Sequence, residues 1–465
     1  MQPYRRKLLM VAYRFPPQSG GGAQRMLKLA KYLGDFGWEP VVQTARNPYW
    51  PRWDAELLAE LPRGIRVHRT PTFEFERFEE RLARPFRRRS DGGSAQSGSE
   101  RAGPQRALRA LRNAIHRYAF VPDAQIAWLP GAFLHGLLIA RRERVDALFT
   151  SSPPNSVHLL GRLMAAALGR PWVADFRDPW TDGVRRRKAY VGNAGREALE
   201  SAAERMVLRR ADRILVSAEP LRARFLAKYD FLSPERVVVL PNGFDPDDFA
   251  GCETGGRELE AGRFHVTASG TMESMFDFGP FLRAVAELVA EDADLRADLR
   301  INLVGTTAAR YGPETERLGL ADRVRFYGWV SKSQNVRYLQ QSDALLMHLI
   351  PQRSGTAEKL PARAFECLYL RKPLLFLSVP GATTEFLAQS GLVTSVAPDD
   401  VAGIKRALRE RYARRGAPAG GDPAFIARFD RRRLTGRLAA ILDELTRTPA
   451  LMTARPAREE APPSP

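Results

Sequence analysis

Lys7-Leu8-Leu9-Met10-Val11-Ala12-Tyr13, Gly20-Gly21-Gly22 and Ala23-Gln24-Arg25-Met26-Leu27-Lys28-Leu29-Ala30 follow one another near the start of the 465-residue chain. The first reads as a β-strand over residues 7–13 and the second as a glycine turn. The third opens a helix over residues 23–36, with Met26, Leu29, Ala30 and Leu33 on one face and Gly37 ending it. Tyr4-Arg5-Arg6-Lys7 ahead of the apolar run imitates a signal peptide. The run is short, however, and enters Arg14-Phe15-Pro16-Pro17 without a cleavage pattern. Strand, tight turn and helix in that order form the opening unit of a parallel α/β domain.

The unit repeats. Strands are predicted over residues 40–44, 147–151, 171–175, 213–217 and 237–240, and helices over 156–167 and 196–210. Residues 246–262, rich in Gly, Asp and Glu and without a helix or strand period, form the predicted linker. A second series follows, with strands over 264–269, 299–304, 324–327, 344–349 and 374–378. Two successive parallel sheets predict two Rossmann-like domains facing a cleft, the first over 1–245 and the second over 263–422. Residues 423–448 read as C-terminal helices returning to the first domain. Residues 90–103, rich in Gly, Ser and Gln, predict a mobile loop, and the Pro-rich 449–465 a disordered tail.

A hydrophobic content of 44% and a charged content of 27% are those of a soluble globular protein. No apolar run approaches the ~20 residues of a membrane-spanning helix. Cys252 and Cys367, the only cysteines, indicate neither a disulfide framework nor a zinc site and fit a reducing cytoplasm. The formal charge of +19 calls for an anionic partner, be it nucleic acid, anionic lipid or a phosphorylated substrate, unless it is only arginine-rich composition. The excess crowds residues 81–117 and 185–188. No helix-turn-helix, zinc finger or aromatic RNA-binding pattern accompanies it, so nucleic acid is not expected and an anionic membrane surface is the better reading. Leu108, Leu111 and Ile115 among Arg106, Arg109 and Arg112 have the pattern of an interfacial anchor or of a helix packed on the domain.

The densest chemistry lies in Glu358-Lys359-Leu360-Pro361-Ala362-Arg363-Ala364-Phe365-Glu366, ahead of Lys372-Pro373. Pro361 suits a first helical turn, so a helix is predicted to open there and to stop before Pro373. The open N–H groups of a helix start favour a phosphate, and Lys359 and Arg363 add charge beside it. Glu366, one to two turns in, is placed to accept hydrogen bonds from a ribose. A surface helix with solvated charges is the alternative. Gly20-Gly21-Gly22 lets backbone approach a ligand, as it would serve any tight turn. Arg177 and Asp178 follow a strand end, where open α/β sheets place ligand groups. They either contact a ligand at the cleft, or pair with each other to orient the loop. His158 and His348 read as structural.

Taken in order, several segments resemble the glycosyltransferase family 4 enzymes of the GT-B fold, over nearly the whole chain. They are Phe15-Pro16-Pro17 through Gly20-Gly21-Gly22 and Arg25, Leu240-Pro241-Asn242-Gly243-Phe244-Asp245, Phe326-Tyr327-Gly328-Trp329-Val330 and Ser342-Asp343-Ala344-Leu345-Leu346. Thr150-Ser151-Ser152-Pro153-Pro154, Asp175-Phe176-Arg177-Asp178-Pro179-Trp180 and Pro122-Asp123 with Trp128 look like a subgroup associated with bacterial surface polysaccharides. The resemblance implies a retaining transfer of sugar from a nucleoside-diphosphate sugar to a glycan or lipid-linked acceptor at the cytoplasmic face. It implies no metal and no cofactor beyond the donor substrate, with Glu366 on the donor ribose, Glu358 on the sugar hydroxyls, and Gly21 and Gly22 walling the cleft. One departure stands out. Where many family members carry an Arg and a Lys for the diphosphate, Ser269-Gly270-Thr271-Met272 continues to Phe276-Asp277-Phe278 with no basic residue. Arg363 and Lys359 are the nearest replacements, and Gly270 and Thr271 offer backbone and hydroxyl donors. A sugar-nucleotide epimerase on the same fold, a basic nucleic-acid- or membrane-binding protein without catalysis, and an inactive scaffold are the competing readings.

Overall fold

The computed structural model describes residues 6–48, 53–72, 120–182, 193–250, 256–270, 277–349, 360–417 and 420–447. The predicted loop 90–103 and tail 449–465, the basic tracts 81–117 and 185–188, and the site candidates Thr271, Glu358 and Lys359 lie outside them.

The first domain contains strands β1 (Arg6–Val11), β2 (Trp38–Ala45), β3 (Arg66–Thr70), β4 (Ala147–Ser152), β5 (Trp172–Phe176), β6 (Arg213–Val216) and β7 (Val237–Val239). They form one parallel sheet in the order β3-β2-β1-β4-β5-β6-β7. Among the described residues its helices are α1 (Gly21–Leu33), α2 (Glu56–Ala59), α3 (Leu129–Glu143), α4 (Ser156–Leu168), α5 (Ala194–Arg210) and α6 (Glu219–Lys228). Because successive strand residues face opposite ways, β1 feeds two cores. Leu9 and Val11 enter the one beneath α3 to α6, while Leu8 and Met10 enter the one beneath α1. A strand covered on both faces must be apolar at every position, which is why β1 reads as an unbroken run.

The second domain contains β8 (Phe264–Ser269), β9 (Leu299–Val304), β10 (Val324–Gly328), β11 (Ala344–Leu349), β12 (Leu374–Ser378) and β13 (Val393–Val396), parallel in the order β10-β9-β8-β11-β12-β13. Its helices are α7 (Gly279–Glu291), α8 (Ala293–Asp298), α9 (Ala308–Arg317), α10 (Lys332–Gln341), α11 (Ala362–Tyr369), α12 (Ala382–Ala388) and α13 (Val401–Ala413). After α14 (Pro423–Ala427), the last helix α15 (Arg431–Arg447) crosses to the first domain. There Leu434, Leu438 and Leu442 join Leu8 and Met10, Arg6 donates to Thr446 (2.8 Å) and Trp38 donates to Asp443 (2.8 Å).

Several elements depart from the sequence reading, which also does not place the short helices α2 and α6. The edge strands β3 and β13 are half-exposed and carry no apolar run. Helix α3 falls where no element is predicted, because leucines on its outer side blur its period. Gly21 and Gly22 are already helical, so the turn before α1 ends at Gly20, whose φ of 122° favours glycine.

In each sheet the strand order reverses once, between β1 and β4 and between β8 and β11. Loops leaving such a point diverge in opposite directions and open a crevice at the carboxyl ends of the strands. The two crevices face each other.

Candidate active site

A cavity of about 190 Å³ lies between the domains, with Ser19, Gly20 and Gln24 on one wall and Ser269, Gly270, Trp329, Lys332, Asn335 and Glu366 on the other. Two helix starts meet beside it: a Cβ placed on Gly21 of α1 would stand 3.6 Å from the Cβ of Ala362 in α11. Neither start has a side-chain cap, and neither helix has an acid in its first turn. Helix α4 behaves differently, since Asp123 accepts from the amides of Asn155 (2.7 Å) and Ser156 (3.1 Å). The starts of α1 and α11, with no side-chain cap and each at the positive end of a helix dipole, therefore favour an anion at the crevice.

Each glycine turn holds an arginine. Arg177 donates to the carbonyls of Ser152 (2.6 Å) and Pro153 (3.1 Å), and its guanidinium lies so close to Gly22 that a Cβ there would fall 2.3 Å from Nη1. Arg363 reaches back from α11 to the carbonyl of Ser269 (2.7 Å) and covers Gly270, where a Cβ would fall 2.1 Å from Nη1. The end of β8, which has no basic residue of its own in sequence, thus receives a cation from α11. Burial lowers the proton affinity of both guanidiniums, with Asp178 opposing the effect at Arg177 and Glu366 among the groups opposing it at Arg363. Both remain cations, given arginine's high intrinsic value.

The segment around Arg177 is fixed by its ends. Asp175 is fully buried and holds Arg25 through two bonds (2.9 and 2.7 Å), while Arg25 also donates to the carbonyls of Leu240 (2.9 Å) and Pro241 (2.8 Å). At the other end the Trp180 indole donates to buried Glu200 (3.1 Å). Arg177 and Asp178, between these anchors, stay half-buried at the strand end. The fully buried Arg–Asp pair of this region is therefore Arg25–Asp175, and Arg177 combines a loop-orienting role with a place at the cleft. Gly22→Ala tests that place. Alanine suits a helix interior by ~1 kcal/mol over glycine, but its methyl would displace the Arg177 guanidinium. The expected outcome is an unchanged or raised melting temperature with kcat/KM lowered ~10²-fold, the scale of a 1 Å misplacement.

Glu366, half-buried on α11, lines the cavity. Burial holds its carboxyl above the ordinary value, against the pull of the Lys332 ammonium. His158 is fully buried, with Nδ1 2.8 Å from Thr150 Oγ1, and burial pushes it down to about 3, so it is uncharged at neutral pH. His348 is buried against Phe278. Neither acts as an acid or base in the cavity.

The sequence reading missed a charge cluster that joins the domains. Glu60, Asp245 and Asp248 bring carboxylate oxygens within 4.8 Å of one another, as a metal site would. The cation they enclose is instead the buried Lys28 ammonium, bonded to all three and 2.6 Å from Asp245. Lys332 of the second domain reaches Glu60 (3.0 Å) and Asp248 (2.6 Å), and its amide donates to Asp54 (3.1 Å). The only hint in sequence is a lysine set between Leu27 and Leu29 on the apolar side of α1.

Residues 20–243 match the family model described as Glycosyl transferase 4-like domain, and residues 263–413 match that described as Glycosyl transferases group 1. The chain belongs to the family 4 glycosyltransferases of the GT-B fold. This glycosyltransferase is similar in fold, over its whole length, to several solved structures. HepE of Anabaena, solved in complex with UDP, superposes with a TM-score of 0.57 at 15% identity and covers 94% of this chain and 100% of its own. WaaG, a glycosyltransferase involved in lipopolysaccharide biosynthesis, gives 0.54 at 14% identity, covering 94% and 99%. Sucrose-phosphate synthase from Thermosynechococcus elongatus gives 0.52 at 15% identity, covering 95% and 96%. No curated protein matches the chain significantly in sequence. The glycosyltransferase transfers sugar from a donor to an acceptor. No helix among the described residues is long and apolar enough to cross a membrane.

Proposed function

We propose that this glycosyltransferase moves a sugar from a nucleoside diphosphate to a glycan or lipid-linked acceptor, with retention of anomeric configuration, in cell-surface polysaccharide synthesis at the cytoplasmic face of the membrane. The observation that carries the donor assignment is the meeting of two uncapped helix starts at one crevice, each flanked by an arginine on a glycine. Such a place suits a diphosphate, whose leaving-group charge grows as the glycosidic bond breaks. Gly21, Gly22 and Gly270 allow the backbone to approach it, Arg363 answers it from the end of β8, and Lys359 and Thr271 add donors from the adjoining sequence. Glu366, once ionised, accepts from the ribose hydroxyls, and Glu358 holds the hydroxyls of the transferred sugar. Arg177 and Asp178 face the donor sugar or acceptor from the first domain.

The positive charge that the reaction requires comes from these groups, so no metal or cofactor is assigned. The acceptor proton passes to the departing diphosphate oxygen, and no separate base is needed. The acceptor class follows the motifs around Asp123, Ser152 and Arg177 and the likeness in fold to WaaG. The basic first domain suits work beside anionic lipid.

The reading is tested by calorimetric titration with UDP-, GDP-, ADP- and TDP-sugars, repeated with Glu366→Ala. One donor series should bind, and the variant should lose at least ~10-fold in affinity, about one hydrogen-bonded charge. If no donor binds, the donor site fails; if the variant binds equally well, Glu366 is misassigned. Because protonation of Glu366 removes its charge and weakens it as an acceptor, donor affinity should also fall as pH drops through its raised value.

A further inference from the structure

Arg431 opens α15, the helix that carries the chain back to the first domain, and its backbone is fixed from several sides. Its amide donates to the Phe244 carbonyl (2.8 Å), the Phe244 amide donates to the Phe429 carbonyl (3.1 Å), and the Arg431 carbonyl accepts from Thr435 Oγ1 (2.7 Å). Phe429, two residues earlier, sets its ring 5.1 Å from that of Phe365, the neighbour of Glu366 on α11. The start of α15 therefore stands against α11, beside the cavity wall to which Glu366 belongs.

The Arg431 side chain is a buried cation without a counterion. It is 4% exposed, and among the described residues its guanidinium makes no hydrogen bond or ion pair. Burial and the neighbouring Arg25 guanidinium push it down to about 10, so it still carries its charge at neutral pH. Three carboxylates act on it, those of Glu366, Asp248 and Asp245. Asp245 is already bonded to Lys28 (2.6 Å), Lys31 (2.8 Å) and Tyr32 (2.6 Å), and Asp248 to Lys28 and Lys332 (2.6 Å). Glu366 is the one of the three with no bonded cation among the described residues. It is faced by Lys332 from α10, Lys28 from α1, Asp248 from the linker and Arg431 from α15, with Arg363 and Cys367 on its own helix. Both lysines are engaged by other carboxylates and Arg363 by the Ser269 carbonyl (2.7 Å). Among these cations only Arg431 is left to Glu366.

We propose that Arg431 is a positioning residue for donor binding, a fixed buried cation that keeps the Glu366 carboxyl an anion. The proposal rests on the placement of Glu366 at the donor ribose. Burial by itself favours the neutral acid, which presents a proton where ribose hydroxyls need an acceptor. Arg431 supplies the opposing field from a backbone held by Phe244 and Thr435. Because it makes no bond to Glu366, it leaves both carboxylate oxygens open to the hydroxyls. The same arrangement lowers stability, since an unpaired charge is costly to bury. A purely structural arginine would do the opposite.

In the full-length protein, Glu366 is titrated by NMR of isotope-labelled glutamate carboxyls, its resonance assigned with Glu366→Gln. Affinity for the UDP-, GDP-, ADP- or TDP-sugar that wild type binds is followed by calorimetry from acidic to alkaline pH. Arg431→Met should raise the Glu366 midpoint by at least ~1 in pH and weaken the donor at least ~10-fold near neutral pH, with the melting temperature unchanged or higher. Its affinity should fall at a higher pH than that of wild type, and the two profiles should meet at alkaline pH, where Glu366 is ionised in both. Arg431→Lys, which keeps the charge, should retain most of the affinity, and in a Glu366→Ala background Arg431→Met should add no further loss. Arg431→Gln carries the same expectations if Arg431→Met does not fold. An unmoved Glu366 midpoint overturns the proposal, whether or not a donor binds. A loss of affinity equal at every pH, or additive with that of Glu366→Ala, overturns it in favour of direct contact between Arg431 and the donor. Weakened binding in Glu366→Ala with wild-type affinity in Arg431→Met overturns this proposal alone, whereas wild-type affinity in Glu366→Ala overturns the donor role of Glu366 as well.

Discussion

Arg363→Ala is expected to lower kcat/KM for sugar transfer by ~10²–10³-fold, the effect of removing one preorganised donor from a developing anion. The sequence after β8 has no Arg or Lys to meet a diphosphate, and Arg363 brings its guanidinium to that position by bonding the Ser269 carbonyl. The loss should fall on affinity for nucleoside diphosphate as well as on kcat, and calorimetry with the nucleotide alone reads the first part. Arg363→Lys should restore little, because an ammonium does not reproduce a planar fork held against Gly270 and a carbonyl. Undiminished nucleotide affinity in Arg363→Ala would put the diphosphate elsewhere.

Lys28→Met should be strongly destabilising, by ~3–5 kcal/mol, because removal of one partner leaves buried charge uncompensated. Lys28 is 2% exposed and touches Glu60, Asp245 and Asp248. Burial opposes its charge, but the three carboxylates outweigh burial and hold its proton more tightly than usual. The same balance favours ionisation of Glu60 and Asp245, whose own burial is outweighed by Lys332 and Lys28 at the first and by Lys28 at the second. Both carboxyls titrate below their ordinary values of 4.5 and 3.8. Their contribution is therefore complete above those values and is lost as pH falls through the lower folded ones. Urea denaturation should show a wide gap between wild type and Lys28→Met at pH 7 that narrows below pH ~4. A gap independent of pH would mean that Lys28 acts by packing alone. Since Lys332 shares Glu60 and Asp248 across the cleft, the variant should also loosen the contact between domains.

Much of the fold is legible because the signals are local. The central strands β1, β4, β8 and β11 are buried on both faces, and a run such as Leu8 to Val11 announces this without further context. The edge strands β3 and β13 escape such reading, since each is half-exposed, carries no apolar run and is held in its sheet by a ladder to a single neighbour that the local sequence does not announce. Helix α3 escapes for a more instructive reason. Leu134 and Leu138 add apolar residues on the side that should be polar, and the feature that hides the helix in sequence is the one that makes its outer face unusual.

The candidate site divides in the same way. Glu366 and Arg363 can be singled out from the string because Pro361 marks a helix start and fixes their distance from it. The approach of Gly21 to Ala362, the seating of Arg177 on Gly22 and the enclosure of Lys28 by three carboxylates cannot be read so. By itself, then, the sequence determined the two α/β series, the helix that bears Arg363 and Glu366, and the absence of a basic residue after Ser269. These depend on periodicity, turn chemistry and capping, which act over a few residues. Only the tertiary structure decided which distant helix start faces which, that Arg363 carries its guanidinium to the end of β8, and that Lys28 ties the domains together. Those facts follow from strand order and from the way two sheets face each other, and no short stretch of chain encodes them.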